Sequence, residues 1–142
     1  IMNGIVGLLL GWAAFPVILV ALALQAVFFQ FGGITTLGVN TLIMALPAVV
    51  GYYLFSPLLR RGPAAAMTGA FACGFMAVLV GGIIVGLALM FTEEKFFEVA
   101  AAVLAAHLPV MIIEGIVTAL CVAFLKKVQP SILPGYSPKG VS

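Results

Sequence analysis

Charge is almost missing from this sequence: residues 1–59 contain no Lys, Arg, Asp, Glu or His, and Arg60 is the first charged residue. Over 142 residues, 65% are apolar and 7% charged. That excludes a soluble domain, whose surface needs charged and polar groups to hold water. The net charge of +2 is small, and no basic stripe is interleaved with aromatics, which excludes nucleic acid as a partner. Cys73 and Cys121 both fall in apolar runs, with no CxxC or Cys/His cluster. They read as small packing residues rather than zinc ligands. A basic n-region ahead of a short apolar core is missing too, so the apolar start does not read as a cleavable signal peptide. The chain opens with Ile, and the expectation is a processed or truncated product. Walker lysine, GxSxG and HExxH motifs are all missing, and no pair of acids shares a water-exposed site. The chain reads as a non-enzyme without a nucleotide site, so any ATP-driven work must come from a partner.

What is present is a series of long apolar runs, which read as membrane spans. Residues 1–31 are nearly all apolar but too long for one straight span, since at ~1.5 Å per residue they would overrun a ~30 Å hydrocarbon core. Gly11 and Pro16 bracket Trp12, Ala13, Ala14 and Phe15, and a proline disfavours helix in the residue before it. The pattern predicts a partial helix over 1–11, a short turn with Trp12 near an interface, and a second helix over 16–31. Gly32-Gly33-Ile34-Thr35-Thr36 then breaks the pattern. A third span covers 38–59, a fourth 64–91 and a fifth 97–125. The fold class expected is all-α, a polytopic transmembrane bundle of about five spans with the first one partial. It occupies residues 1–128, and residues 129–142, rich in Pro and Gly, form a flexible tail.

The few charges orient the bundle. Arg60 and Arg61 end the third span, Lys126 and Lys127 end the fifth, and Glu93, Glu94, Lys95 and Glu98 separate the fourth from the fifth. The positive-inside rule puts the basic ends, and with them the C-terminal end, in the cytoplasm. The acidic cluster and the Gly32–Thr36 turn then face outward. Small residues favour close helix packing in lipid: Gly7 and Gly11, Gly82 and Gly86, and the run Ala66, Ala70, Gly74, although a Gly-rich chain also produces GxxxG by chance.

Polar groups within spans are costly, and each needs a reason. His107, Met111, Glu114 and Thr118 share one helical stripe at i, i+4, i+7 and i+11. A His, a thioether and a carboxylate on one face can line a path for a transition-metal cation. Alternatively, Glu114 and His107 hydrogen-bond to neighbouring helices and hold the bundle together, the reading favoured here. Gln25, Gln30, Thr35, Thr36, Asn40 and Thr41 cluster around the outward Gly32-Gly33 turn. They either present amides and hydroxyls to a loop or solute, or satisfy backbone where two helices end.

The stretch from Gln25 to Thr41, with Gly32-Gly33-Ile34-Thr35-Thr36-Leu37-Gly38-Val39-Asn40-Thr41, resembles the GGxTTLGxNT signature of the CbiM/NikM proteins. These are substrate-capture membrane subunits of energy-coupling-factor importers for cobalt and nickel. The segment from His107 to Ala119 is similar to the family's HxPxxxxEGxxTA pattern, and Asn3 to Trp12 fits its second helix. The resemblance covers residues 1 to about 130. It implies capture of Co(II) or Ni(II) from outside as the transported ion, with no covalently bound cofactor. Release inward would follow as the scaffold is reoriented by a transmembrane coupling subunit with cytoplasmic ATPases. The lipid bilayer and a small accessory membrane subunit complete the expected partners. The resemblance also places the metal ligands in a Met-His-Ile type N-terminus and a His just upstream of Asn3-Gly4. No ligand is therefore assigned within the sequence. Gln25, Gly32, Gly33, Thr35, Thr36, Asn40, His107, Met111 and Glu114 remain as site-supporting or pathway candidates. The alternative is a structural assembly subunit that transports nothing. A small channel fits least, because no ring of charges appears.

Overall fold

A computed structural model describes residues 2–29, 33–90 and 96–134. Among these residues the chain is all-α, with no strand. Five helices follow in order: α1 (Asn3–Leu10), α2 (Ala14–Phe29), α3 (Leu37–Leu59), α4 (Pro63–Met90) and α5 (Phe96–Val128). A 3-10 turn over Gly11–Ala13 joins α1 to α2, and a second turn, Pro130–Ile132, follows α5. Four stretches are long and apolar enough to cross a membrane: Asn3–Phe29, Leu37–Leu59, Pro63–Ala88 and Ala101–Val128. The protein is a multi-pass membrane bundle.

The first of those stretches is not one straight helix. Gly7 packs on the backbone of Ala48, and Gly11 on the Tyr52 ring, so α1 runs parallel to α3. Ala14 and Ile18 of α2 cluster with Ala45, Ala48 and Val49, while Leu22 and Gln25 share a cavity with Met44, further back along α3. So α2 runs the opposite way. The same cavity is lined by Asn3, which a straight helix would place about 33 Å from Gln25. The chain therefore reverses at Gly11–Ala13, and α1 is a half-length arm, as the partial first helix anticipated. The turn is possible because Gly11 takes φ +53° with ψ −123°, a conformation open only to glycine. The second helix starts at Ala14, two residues before the expected 16. Pro16 lies in its first turn, where a missing N–H costs nothing.

The remaining pairs are antiparallel. Gly69 meets Leu58 and Gly81 meets the Ile43 carbonyl between α3 and α4; Gly74 meets Glu114 and Gly82 lies near His107 between α4 and α5. Pro47 within α3 has no N–H to give the Ile43 carbonyl, which instead faces the Gly81 backbone at close range. Ala45, Ala48, Ala66, Ala70 and Cys73 are all fully buried. Small side chains make the interior because lipid gives apolar burial little drive, and helices associate through close van der Waals contact. Large apolar residues such as Val20, Leu24, Val27, Phe28 and Leu120 point outward, as a lipid-facing surface requires. Trp12 is exposed at the α1–α2 turn, which packs beside Tyr52, about two helical turns before Arg60. Past α5, Leu133 folds back and is buried with Ile5, Leu8, Leu59 and Val122. Packed chain therefore reaches beyond 128, into the segment expected as tail; residues 135–142 lie outside the described residues.

Candidate functional site

The first residues of α1 pack level with the middle of α4 and α5, against Gly74 and Thr118, and that contact forms the site. A helix leaves its first N–H groups without intrahelical partners, and in a dry interior each needs an acceptor. Glu114, half-way along the span Ala101–Val128 and 1% exposed, supplies it. Its Oε2 accepts a hydrogen bond from the Met2 N–H at 2.8 Å, and its Oε1 one from the Gly4 N–H at 3.3 Å. The carboxylate also lies at the positive end of the α1 dipole, which favours a negative charge. Met2, at φ +77°, makes the bend that aims its N–H at Glu114.

Around this contact the helices touch through glycine. A Cβ on Gly4 would stand 2.6 Å from Gly74 Cα and 2.9 Å from Thr118 Oγ1, and one on Gly74 2.6 Å from the Glu114 carbonyl. Cys73 donates a weak S–H bond to the Gly4 carbonyl at 3.8 Å. Thr118 Oγ1 is buried with no hydrogen-bond partner among the described residues. The start of α1 is thus wedged among α3, α4 and α5, with a carboxylate, a thiol and a hydroxyl around it.

The other stripe residues have different surroundings. Met111 is buried, at 1% exposure, and His107 is half-buried near Gly82. His107 Nδ1 donates to the Val103 carbonyl at 2.7 Å. Nothing among the described residues groups three His, Cys, Asp or Glu side chains to hold a metal ion.

The polar turn forms a separate feature. Gly33 has φ +65°; Thr36 Oγ1 donates to the Gly33 carbonyl at 3.3 Å, and Asn40 Nδ2 to Thr36 Oγ1 at 3.4 Å. Thr35 and Thr36 are exposed, and these bonds serve the start of α3. Gly32 and Gln30 lie outside the described residues, as do Glu93, Glu94 and Lys95. Gln25 lines the cavity of about 250 Å³ between α1 and α2, with Asn3, Val6, Ile18, Leu22 and Met44. The structure therefore divides the candidates among the α5 stripe, the α2–α3 turn and the α1–α2 cavity. Asn3, Gly4 and Cys73 were missing from the sequence-based set. Their signal was weak: Gly74 ended the Ala66, Ala70, Gly74 run, but nothing local names Gly4 as the residue that fits against it.

Comparison with known proteins places this arrangement. The family described as CbiM, cobalt uptake substrate-specific transmembrane region, matches residues 1–132. A Haemophilus influenzae protein provisionally named a metal transport protein is 38% identical, over 94% of this chain and 66% of its own length. The cobalt transport protein CbiM of Sorangium cellulosum is 34% identical, over 92% of this chain and 62% of its own. The fused nickel transport protein NikMN of Rhodobacter capsulatus is also 34% identical, over 92% of this chain and 43% of its own. The chain thus spans less than two thirds of the length of these relatives. No solved structure matches it.

Proposed function

The chain belongs to the CbiM family, and from that premise we propose that it is the transmembrane scaffold of a substrate-capture subunit for import of Co(II) or Ni(II). Import is driven by ATP through a transmembrane coupling subunit and cytoplasmic ATPases. The observation that carries the reading is the buried mid-span carboxylate of Glu114, bonded to the Met2 and Gly4 N–H groups ahead of the helix interruption at Gly11–Ala13. Interrupted helices and intramembrane carboxylates are costly and are kept where a solute is handled. In this reading the start of α1 and the cavity beside it form the zone through which the ion is handled. Asn3 and Gln25 offer amide oxygens there and Met44 a thioether, weak donors that suit brief contact rather than tight holding. The strong ligands are those the family resemblance places in a Met-His-Ile type N-terminus and in a His just ahead of Asn3. The outward Gly33–Asn40 turn supports that zone, and the ends bearing Arg60, Arg61, Lys126 and Lys127 face the cytoplasm.

Calorimetry with Co(II) and Ni(II), on the 142-residue chain beside the full-length protein, tests the proposal. Saturable binding by the full-length protein alone is the expected result. Binding by neither, together with no ion accumulation in cells that also express the coupling subunit and ATPases, would leave the assembly-subunit reading standing instead.

A further inference from the structure

The buried carboxylate has a more specific task than polar glue. Three features fix α1 in place: the Glu114 bonds at its start, the Gly7 contact on Ala48, and the glycine hinge at Gly11. Two turns of helix have almost no stability of their own, so these tertiary attachments decide where α1 sits. The first two lie on different helices, α5 and α3. Among the described residues, Glu114 is the acceptor for the Met2 and Gly4 N–H groups, and these bonds tie the first turn of the arm to α5.

We propose that Glu114 is a positioning residue, the latch that docks the α1 half-helix and so holds Asn3 in register with Gln25 and Met44 across the α1–α2 cavity. The docked arm covers two groups that gain little from it. Cys73 Sγ has only the weak contact with the Gly4 carbonyl, and Thr118 Oγ1 has no partner. Burying an unpaired hydroxyl opposes docking, so the latch works against a built-in tendency to release. The glycine hinge lets the arm swing without unwinding α2. This rests on the proposed function for its consequence, control of how the ion is held, but not for the latch itself.

The test uses the full-length protein in liposomes with Cys121→Ser, so that Cys73 reports the arm by its rate of maleimide labelling. Glu114→Ala is expected to speed Cys73 labelling about tenfold or more. It should also weaken Co(II) or Ni(II) binding by a similar factor, with a changed d–d spectrum of the bound ion. Glu114→Gln keeps one acceptor oxygen for one of the two N–H groups and turns an NH2 toward the other, so it is expected to fall between the parent and Glu114→Ala in both. Gly4→Ala should reproduce the fast labelling with Glu114 intact, because its Cβ meets Gly74 Cα. If Glu114→Ala does not assemble, Glu114→Asp, too short to reach both N–H groups, replaces it with the same expectation. Unchanged labelling in the Ala or Asp variant overturns the latch. Fast labelling with unaltered ion affinity and spectrum overturns its link to the ion. If the parent protein binds neither ion, the proposed function fails, while the labelling rates still decide the latch.

Discussion

Single residues in this bundle matter through the backbone groups they satisfy or exclude. Thr118 shows the cost of a missing partner: its hydroxyl is fully buried and unpaired, and such a group costs about 1–3 kcal/mol. Thr118→Val keeps the shape and removes the hydroxyl. It is expected to leave stability unchanged or raise it by about 1 kcal/mol, measured as the thermal midpoint in detergent. Gly7 shows exclusion. A Cβ there would collide with the carbonyl of Ala48, a backbone atom that cannot rotate away. Gly7→Ala is expected to lower stability by about 1–3 kcal/mol, the usual cost of overpacking, and a midpoint equal to the parent's would refute the close α1–α3 contact. His107 carries a different expectation. Its Nδ1 bond stays within its own helix, to Val103, and removing it leaves no partner on another helix unsatisfied. His107→Ala should therefore shift the midpoint by less than about 1 kcal/mol, so any large loss of uptake would report on the ion path and not on folding.

At the scale of elements, α1, its turn and α2 are the informative unit. Residues 1–31 read as too long for one straight span, and Gly11 is the residue that permits the reversal. Its φ of +53° with ψ −123° is closed to residues with a Cβ, and the Tyr52 ring lies 3.3 Å from where that Cβ would be. Gly11→Ala is expected to cost about 1–3 kcal/mol of backbone strain, read from the thermal midpoint. Pro16 had the opposite effect on the sequence reading. It suggested a boundary, yet α2 begins at Ala14 because a proline in the first turn removes only an N–H that has no helical partner. The signature Gly33–Asn40 turn is locally self-sufficient: Thr36 and Asn40 bond within it. For that reason its residues were easy to place in sequence, and their hydrogen bonds carry no contact to the α5 stripe.

Across the whole molecule, the antiparallel order of α2 to α5 puts Arg60, Arg61, Lys126 and Lys127 at one end and the Gly33–Thr36 turn at the other. A single Cys at Ile34, which is 74% exposed, should therefore be labelled by an impermeant maleimide in intact cells. A single Cys at Lys127 should react only after the membrane is opened. The reverse pattern would invert the proposed orientation.

The sequence by itself determined that this is a helical membrane protein, where its spans run, and which family it belongs to. Those properties follow from local quantities: the length of apolar runs, the charges at their ends, and short signatures such as Gly33-Ile34-Thr35-Thr36. It also placed Glu114 and His107 on one stripe, because helical periodicity is local too. Only the tertiary structure decided what Glu114 touches. Its partners Met2 and Gly4 lie 112 and 110 residues away in the chain, and they are backbone N–H groups, which every residue but proline carries and no motif marks. The same holds for Gly4 against Gly74, and for Asn3 facing Gln25 across the cavity. These pairings arise from the reversal at Gly11 and the packing of five helices, and a linear pattern has no term for either.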